Sequence, residues 1–143
     1  MSKKGAARKD FDVVVVGGGN AALCAALAAR EAGASVCVLE RAPPEESGGN
    51  SRFTAGAIRF AYRGLDDLKR VMPDLTEAEI ATTDFGAYTE DDFFEDMFRV
   101  TQYRADPDHV ETLVRRSFDT ILWLREKGVR FVPIYGRQAF KVE

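Results

Sequence analysis

A run of valines followed at once by glycines constrains the fold of this chain most. Residues 13–16 read VVVV, residues 17–19 read GGG, an alanine-rich stretch comes next, and a second apolar run, VCVL, leads to Glu40. Four consecutive β-branched residues are typical of a strand buried on both faces of a parallel sheet. The pattern therefore predicts a strand, a glycine turn opening a helix, and a second strand that ends at an acid.

Each part of this pattern has a mechanical reason. Gly17 lies where the chain must leave the strand and reverse tightly. Gly19 lets the backbone approach a pyrophosphate closely. The third position of the pattern is Ala22, and alanine is an accepted variant of glycine there. The helix that opens at about Asn20 directs free N–H groups at the diphosphate. Glu40 has about the 20-residue spacing of the acid that binds a ribose, and it disfavours NADP by repelling a 2′-phosphate. The sequence predicts an α/β fold with a Rossmann-like dinucleotide-binding βαβ unit.

Composition excludes several classes of protein. The chain has 143 residues and a net charge of −3, which predicts no nucleic-acid partner. It shows neither a signal-peptide core nor an apolar run of about 20 residues, so we expect a cytoplasmic location. Cys24 and Cys37 fall in apolar surroundings and are expected to be reduced, buried and inert. With His109 as the single histidine, a His-rich metal site is excluded, and no metal is predicted.

The remainder of the chain reads as mostly helical. Short helices are predicted at 66–72 and 77–82, longer ones at about 89–103 and from Asp106-Pro107 to Gly128, and a strand at 129–134. We predict that residues 1–63 form the N-terminal part of a dinucleotide-binding domain and that 64–143 begin a remaining domain or cap. A doubly wound domain needs two βαβαβ halves, so we expect the chain to be a fragment of a longer protein.

A second glycine-rich segment, GGNSRFTAGAI, follows Glu40 at residues 48–58. Its first residues offer backbone N–H groups and a hydroxyl, and Ala55-Gly56-Ala57 lacks the bulk that would obstruct a flat ring. Alone, the segment reads as a surface loop; with the upstream pattern it indicates a second contact with a large dinucleotide such as FAD. Two alternatives stay open, an NAD-linked dehydrogenase and a non-catalytic nucleotide-binding or interaction module.

The segments DVVVVGGGNAALCAALAAREAGASVCVLE and GGNSRFTAGAI resemble the N-terminal flavin-binding region of the fumarate reductase and succinate dehydrogenase flavoprotein family. GGGNAALCAALAAREAGASV and YGRQAFKV are most similar to its tricarballylate dehydrogenases. The resemblance implies an FAD-dependent oxidoreductase that oxidises a tricarboxylate or dicarboxylate, such as tricarballylate, at a C–C bond by hydride transfer to flavin. It also implies two partners, a small carboxylate substrate and an electron acceptor such as a membrane-associated iron–sulfur protein.

The resemblance also assigns residues to the cofactor. Those expected to bind FAD are Gly17, Gly18, Gly19, Asn20, Ala21, Ala22, Glu40, Arg41, Gly48, Gly49, Asn50, Ser51, Ala55 and Gly56. Asn50 falls where membrane-bound relatives carry a histidine joined covalently to the flavin, so FAD is expected to bind non-covalently. The catalytic residues are unknown and are expected beyond this chain, which alone should be inactive. Since guanidinium groups match carboxylates bidentately, candidate substrate ligands are Arg52 and Arg59, with Arg63 and Arg137.

Overall fold

The computed structural model describes residues 10–136 and 140–142 of the chain. The chain divides into two compact units, Met1–Ala57 and Ile58–Glu143. The sequence predicts a domain boundary after residue 63. That boundary refers to the domains of a longer protein, and it stays a prediction.

The first unit is a strand–helix–strand unit. Strand β1 (Val13–Val16) is followed by helix α1 (Asn20–Glu31) and strand β2 (Val36–Leu39). The strands pair in parallel, with Val13 opposite Val36 and Val16 opposite Leu39. Parallel neighbours need a crossover connection, and α1 supplies it. The predicted βαβ unit is therefore present at the predicted residues.

Strand β1 is less buried than its sequence suggests. Val14 is 55% exposed and Val16 is 82% exposed, so the expectation of a strand buried on both faces is wrong for this unit. A parallel strand is buried only when both faces of its sheet are covered. Within residues 10–57, α1 is the one α-helix beside the sheet, which leaves alternate valines of β1 uncovered.

Side-chain hydrogen bonds join the beginnings of the two strands. The Asp12 carboxylate accepts hydrogen bonds from the Ser35 N–H at 2.8 Å and the Ser35 hydroxyl at 2.6 Å. The Ser35 hydroxyl oxygen in turn accepts one from the Asp12 N–H at 3.0 Å. These bonds favour the charged carboxylate and lower the pKa of Asp12. They fix the register of the strands, whose opposite ends carry the glycine turn and Glu40.

The second unit is mostly helical. It contains α2 (Leu65–Val71), α3 (Glu77–Ala81), strand β3 (Thr83–Asp84), α4 (Glu90–Val100), α5 (Pro107–Glu126) and strand β4 (Phe140–Lys141). The two short strands pair antiparallel. No helix in the described part of the chain is both long enough and apolar enough to cross a bilayer.

Three of these helices begin at caps that the sequence encodes. Thr76 with Glu79 and Thr89 with Asp92 form reciprocal capping boxes at α3 and α4. The Asp106 carboxylate accepts hydrogen bonds from two N–H groups at the start of α5, where proline holds the first helical position. The predicted starts of these helices are therefore confirmed.

One helix end and one strand differ from the sequence-based prediction. Helix α4 ends at Val100 because Gln102 and Tyr103 adopt left-handed backbone angles, with φ of 54° and 58°, which cannot continue a right-handed helix. The strand predicted at 129–134 is absent, since these residues are irregular. Pro133 has no N–H to donate to a neighbouring strand, and Phe131 packs against the helical core instead.

The core of the second unit is organised along α5. One cluster joins Leu68 and Val71 of α2 to Ile121. The other joins Phe93 of α4 to the beginning of α5. Helix α5 serves both because its buried positions recur every three or four residues, as one face of a helix requires. These buried positions are Val110, Val114, Ser117 and Ile121.

Ser117 is the polar member of that buried face. Its hydroxyl oxygen accepts a hydrogen bond from the Ala61 N–H at 2.9 Å, and the hydroxyl donates to the Val114 carbonyl at 2.8 Å. A buried backbone N–H needs such a partner, because it has given up its hydrogen bond to water. Ser117 therefore ties the segment before α2 to the middle of α5.

Asp96 on α4 organises a polar cluster on the same unit. Its carboxylate accepts hydrogen bonds from the Tyr88 hydroxyl at 2.8 Å and from the guanidinium groups of Arg59 and Arg99. Arg59 also donates to the Tyr88 hydroxyl oxygen at 2.9 Å. The hydrogen bonds from Arg99 and Tyr88 lower the pKa of Asp96 to about 2. Burial, together with the bond to Asp96, raises the pKa of Tyr88.

Replacing Ser117 by alanine is expected to destabilise the chain by about 1–3 kcal/mol, because the Ala61 N–H then remains buried without a partner. Urea unfolding followed by circular dichroism measures this difference. Thr120→Ala is the matched control, since its hydroxyl donates to a carbonyl of the same helix but is exposed, and it should cost less than about 0.5 kcal/mol. Equal unfolding midpoints for the two variants would contradict the role given to Ser117.

The Asp96 cluster predicts a pH dependence of stability with a definite sign. Because the folded-state pKa lies below the ordinary value of 3.8, the stabilisation is present above that value and is lost as pH falls toward 2. The free energy of unfolding of the native chain and of Asp96→Asn should therefore converge over this range. Asp119→Asn, on the exposed surface of α5, controls for the removal of one negative charge. A gap between native chain and Asp96→Asn that is constant from pH 7 to pH 2 would refute the assignment.

Candidate functional site

The candidate site lies at the carboxyl ends of β1 and β2, in the first unit. Gly17 follows β1 with a φ of +115°, which is available to glycine without steric strain. Its N–H donates to the Leu39 carbonyl at 2.7 Å, which extends the pairing of the strands by one residue. A Cβ at Gly17 would lie 3.9 Å from the Cβ of Ala22. The reversal after β1 thus brings the chain directly into α1.

Glu40 directs its carboxylate back toward the glycine turn. Its Oε1 accepts a hydrogen bond from the Ala42 N–H at 2.9 Å. Backbone N–H groups, that of Ala42 first and then those of Arg41 and Gly18, lower the pKa of Glu40 by favouring its charged form. A Cβ built at Gly18 would lie only 2.7 Å from Glu40 Oε2. The carboxylate is therefore held ionised beside the turn, in space that a side chain at residue 18 would fill.

The amino end of α1 is capped by a residue far away in sequence. Gly19, which precedes the helix, has no side chain to cap it. The Asn20 N–H instead donates to the hydroxyl oxygen of Ser51, 31 residues later, at 3.0 Å. The first turn of α1 contains no acidic residue, so no carboxylate of the helix itself offsets the partial positive charge of its amino end. The Glu40 carboxylate lies beside Gly18, just before the helix.

The second glycine-rich segment lies against this helix end. It forms a 3₁₀ helix, Gly49–Phe53, preceded by Gly48 with a φ of +102°. A Cβ at Gly19 would lie 3.3 Å from the Gly48 carbonyl oxygen and 3.4 Å from the Ser51 hydroxyl oxygen. Both glycine segments therefore meet at one place, and the missing side chain of Gly19 makes the approach possible.

The structure brings together some of the predicted cofactor residues and leaves others exposed. Gly18 meets Glu40, and Gly19 and Asn20 meet the loop that carries Ser51. Asn50, Ala55 and Gly56 are exposed on that loop. Ala55 and Gly56 have consecutive left-handed φ angles of 52° and 73°, a conformation that an alanine adopts only at a steric cost of about 1 kcal/mol.

Two of the four predicted substrate arginines, Arg52 and Arg59, already bind internal acceptors. The Arg52 guanidinium donates to the Glu45 carbonyl oxygen at 2.6 Å and stacks over the Phe53 ring, 5.6 Å from its centre. Arg59, in the second unit, belongs to the Asp96 cluster. Arg63 is exposed there, and Arg137 lies outside the described residues. Sequence patterns gave no sign of these acceptors, because all are separated from the arginines along the chain.

The geometry of the first unit fits an anionic dinucleotide. The amino end of a helix directs N–H groups and a partial positive charge at phosphate oxygens, and α1 presents such an end beside the Ser51 hydroxyl. Glu40 supplies a charged acceptor suited to sugar hydroxyls. The missing side chains of Gly18 and Gly19 let the Glu40 carboxylate, the Gly48 carbonyl and the Ser51 hydroxyl approach the turn, which a Cβ at either position would obstruct.

Comparison with known proteins agrees with this geometry. A family model described as FAD binding domain matches residues 12–142. The chain is 32% identical to an NADH:acrylate oxidoreductase of Vibrio harveyi over 84% of its own length and 16% of that protein. It is 32% identical to a fumarate reductase (cytochrome) of Shewanella frigidimarina, over 86% of the chain and 19% of the relative. It is 29% identical to a vinyl phenol reductase of Lactiplantibacillus plantarum, over 90% of the chain and 22% of that relative.

The chain spans less than a quarter of the length of these curated relatives. The family match nevertheless covers nearly all of the chain and confirms FAD as the cofactor. The chain therefore belongs to the FAD binding domain family, in the group that includes the FAD-dependent fumarate reductases.

Proposed function

We propose that this chain forms the adenosine- and diphosphate-binding part of the FAD site in an oxidoreductase that acts on a C–C bond beside a carboxylate. The observation that carries the proposal is the meeting of the α1 amino end, the Ser51 hydroxyl and the Glu40 carboxylate at the carboxyl ends of β1 and β2. When bound, FAD supplies a two-electron acceptor for hydride at flavin N5.

The diphosphate is assigned to the turn from Gly17 to Ala22, together with Gly48, Gly49 and Ser51. Phosphate oxygens there would accept hydrogen bonds from the α1 N–H groups and from Ser51. A hydroxyl that accepts one hydrogen bond keeps its own proton to donate. Because Ser51 accepts from Asn20, it is oriented to donate its proton to a phosphate oxygen.

The adenosine ribose is assigned to Glu40, with Arg41 beside it. Backbone N–H groups lower the pKa of Glu40, so the carboxylate is an acceptor-only group at neutral pH. Two sugar hydroxyls can each donate to it. Charge-assisted bonds of this kind are about twice as strong as neutral ones, which gives Glu40 a substantial share of the cofactor affinity.

FAD is proposed to bind without a covalent bond. Asn50 is exposed on the second glycine-rich segment, and a side-chain amide is not a nucleophile toward the flavin methyl group. Ala55 and Gly56 are assigned to the edge of the isoalloxazine ring, where their lack of bulk permits close packing.

The substrate is proposed to be a small dicarboxylate or tricarboxylate, with tricarballylate oxidation as the first candidate. Support comes from the resemblance of GGGNAALCAALAAREAGASV and YGRQAFKV to tricarballylate dehydrogenases. The names of two relatives specify acrylate and fumarate, both carboxylates conjugated to a double bond. Those names favour a second candidate, reduction of such an alkene. A membrane-associated iron–sulfur protein is proposed as the electron acceptor for the oxidation. The cytoplasm is proposed as the location of the protein that contains this chain.

Arg52 and Arg59 are proposed to bind substrate carboxylates. A guanidinium group has five N–H donors, so the internal bond of Arg52 and the Asp96 and Tyr88 bonds of Arg59 do not exhaust them. These bonds hold each guanidinium in place, which lowers the entropy lost when a carboxylate binds.

The assignment of Glu40 predicts that Glu40→Gln weakens FAD binding about tenfold or more, since a hydrogen bond to a charged group contributes about 1.5–3 kcal/mol. Quenching of flavin fluorescence during titration of the chain measures the dissociation constant. Glu45→Gln is the matched control, because Glu45 is an exposed acid nearby whose backbone carbonyl, not its carboxylate, accepts from Arg52.

Equal FAD affinities for Glu40→Gln and Glu45→Gln would contradict the ribose assignment. The same samples test the mode of attachment. After acid precipitation of the FAD complex, the flavin should stay in the supernatant, as expected of a non-covalent cofactor. Flavin in the washed pellet would overturn that part of the proposal.

The substrate proposal predicts a spectral change in FAD-loaded enzyme that contains this domain. Under anaerobic conditions, tricarballylate should bleach the visible flavin absorbance, because the flavin takes up the hydride. Fumarate or acrylate added to chemically reduced enzyme tests the reverse direction. Bleaching by tricarballylate supports oxidation, and recovery of colour with the alkenes supports reduction. If neither carboxylate class changes the spectrum, the proposed reaction is wrong.

A further inference from the structure

We infer that Gly18 is a positioning residue for the Glu40 carboxylate, and through it for the adenosine ribose. The inference deepens the proposed function, since it rests on the ribose role of Glu40. Gly18 occupies the position between the first two glycines of the dinucleotide fingerprint, where the pattern accepts any residue. The fingerprint therefore gives no reason for glycine here.

Backbone conformation gives no reason for glycine either. Gly17 has a φ of +115°, whereas Gly18 is absent from the residues with positive φ. An alanine at residue 18 would therefore meet no backbone strain of the kind that an alanine at residue 17 would meet. Any difference between glycine and alanine at residue 18 must therefore come from the surroundings of that residue.

Those surroundings are the Glu40 side chain. A Cβ at Gly18 would lie 2.7 Å from Glu40 Oε2 and 3.5 Å from both Cδ and Cγ, and these are the nearest atoms it would meet. Carbon and oxygen atoms do not approach to 2.7 Å without a bond between them, so one of the two groups must move. The backbone beside Gly18 is held by the hydrogen bond from the Gly17 N–H to the Leu39 carbonyl at 2.7 Å, whereas the exposed Glu40 side chain can change its rotamer.

The expected result of adding a methyl group is thus specific. The carboxylate would swing away, at little cost to folding because it is solvent-exposed. It would lose its orientation between the turn and the Ala42 N–H, which is the orientation assigned to the ribose contact. A substitution at Gly18 is therefore expected to lower the affinity for the ligand without lowering the stability of the fold.

Gly18→Ala in the native chain and in the Glu40→Gln background tests this inference. In the native chain, the variant should leave the urea midpoint unchanged and weaken FAD binding by about tenfold, the loss expected for one charge-assisted hydrogen bond. In the Glu40→Gln background, the same substitution should weaken FAD binding less than twofold, because the group it displaces no longer carries the charge. Equal weakening in both backgrounds, or none in the native chain, would overturn the inference.

A second readout needs no cofactor. Carbon-13 NMR titration of the apo chain should show the Glu40 pKa moving up toward its ordinary value in Gly18→Ala, because backbone N–H groups no longer favour the carboxylate. An unchanged Glu40 titration would overturn the inference even if FAD affinity falls. If Glu40→Gln alone leaves FAD affinity unchanged, the ribose assignment fails, and the titration still decides whether Gly18 positions the carboxylate.

Discussion

The hydrogen bond from the Asn20 N–H to the Ser51 hydroxyl is the contact on which the site depends. It closes a loop of 31 residues and brings the second glycine-rich segment to the amino end of α1. Without it, the helix end would have no side-chain cap, and the segment would be an ordinary surface loop. With it, helix N–H groups, a hydroxyl and loop backbone converge on one small region, as a diphosphate requires.

The three consecutive glycines satisfy three different physical requirements. Gly17 supplies a backbone angle that other residues avoid. Gly18 leaves room for the Glu40 carboxylate, and Gly19 leaves room for the Gly48 carbonyl and Ser51. A pattern search treats such glycines as one motif, whereas the structure gives each a separate partner. The consequences of substituting them should accordingly differ in kind: strain at the first, lost ligand orientation at the second, and lost contact between segments at the third.

Local signals allowed much of the fold to be predicted. The valine run, the glycines and the Asp106-Pro107 pair determine backbone conformation over a few residues, so β1, α1 and α5 begin where the sequence indicates. The exposure of β1 was not predictable, because burial depends on which elements cover the sheet. The prediction of a strand at 129–134 is wrong for a related reason, since an apolar run forms a strand only where a neighbouring strand pairs with it.

In the candidate site, too, some features could be predicted from the sequence and others could not. Spacing predicts which residues of the fingerprint bind the cofactor, and these assignments stay predictions. FAD itself was predicted from the two glycine segments together, and the family match confirms it. The Ser51 cap, the Gly18–Glu40 contact and the acceptors of Arg59 join residues more than 20 apart in sequence, and the acceptor of Arg52 lies seven residues away. Periodicity and propensity carry no information about such pairs, which only the folded chain reveals.

Amide chemical-shift mapping of the isotopically labelled chain with FAD tests the central claim most directly. The account predicts that the largest saturable shifts fall on residues 17–20, on 40–42 and on 48–51, as expected if one dinucleotide contacts both glycine segments. Saturable shifts confined to the helical second unit, with those residues unmoved, would contradict it.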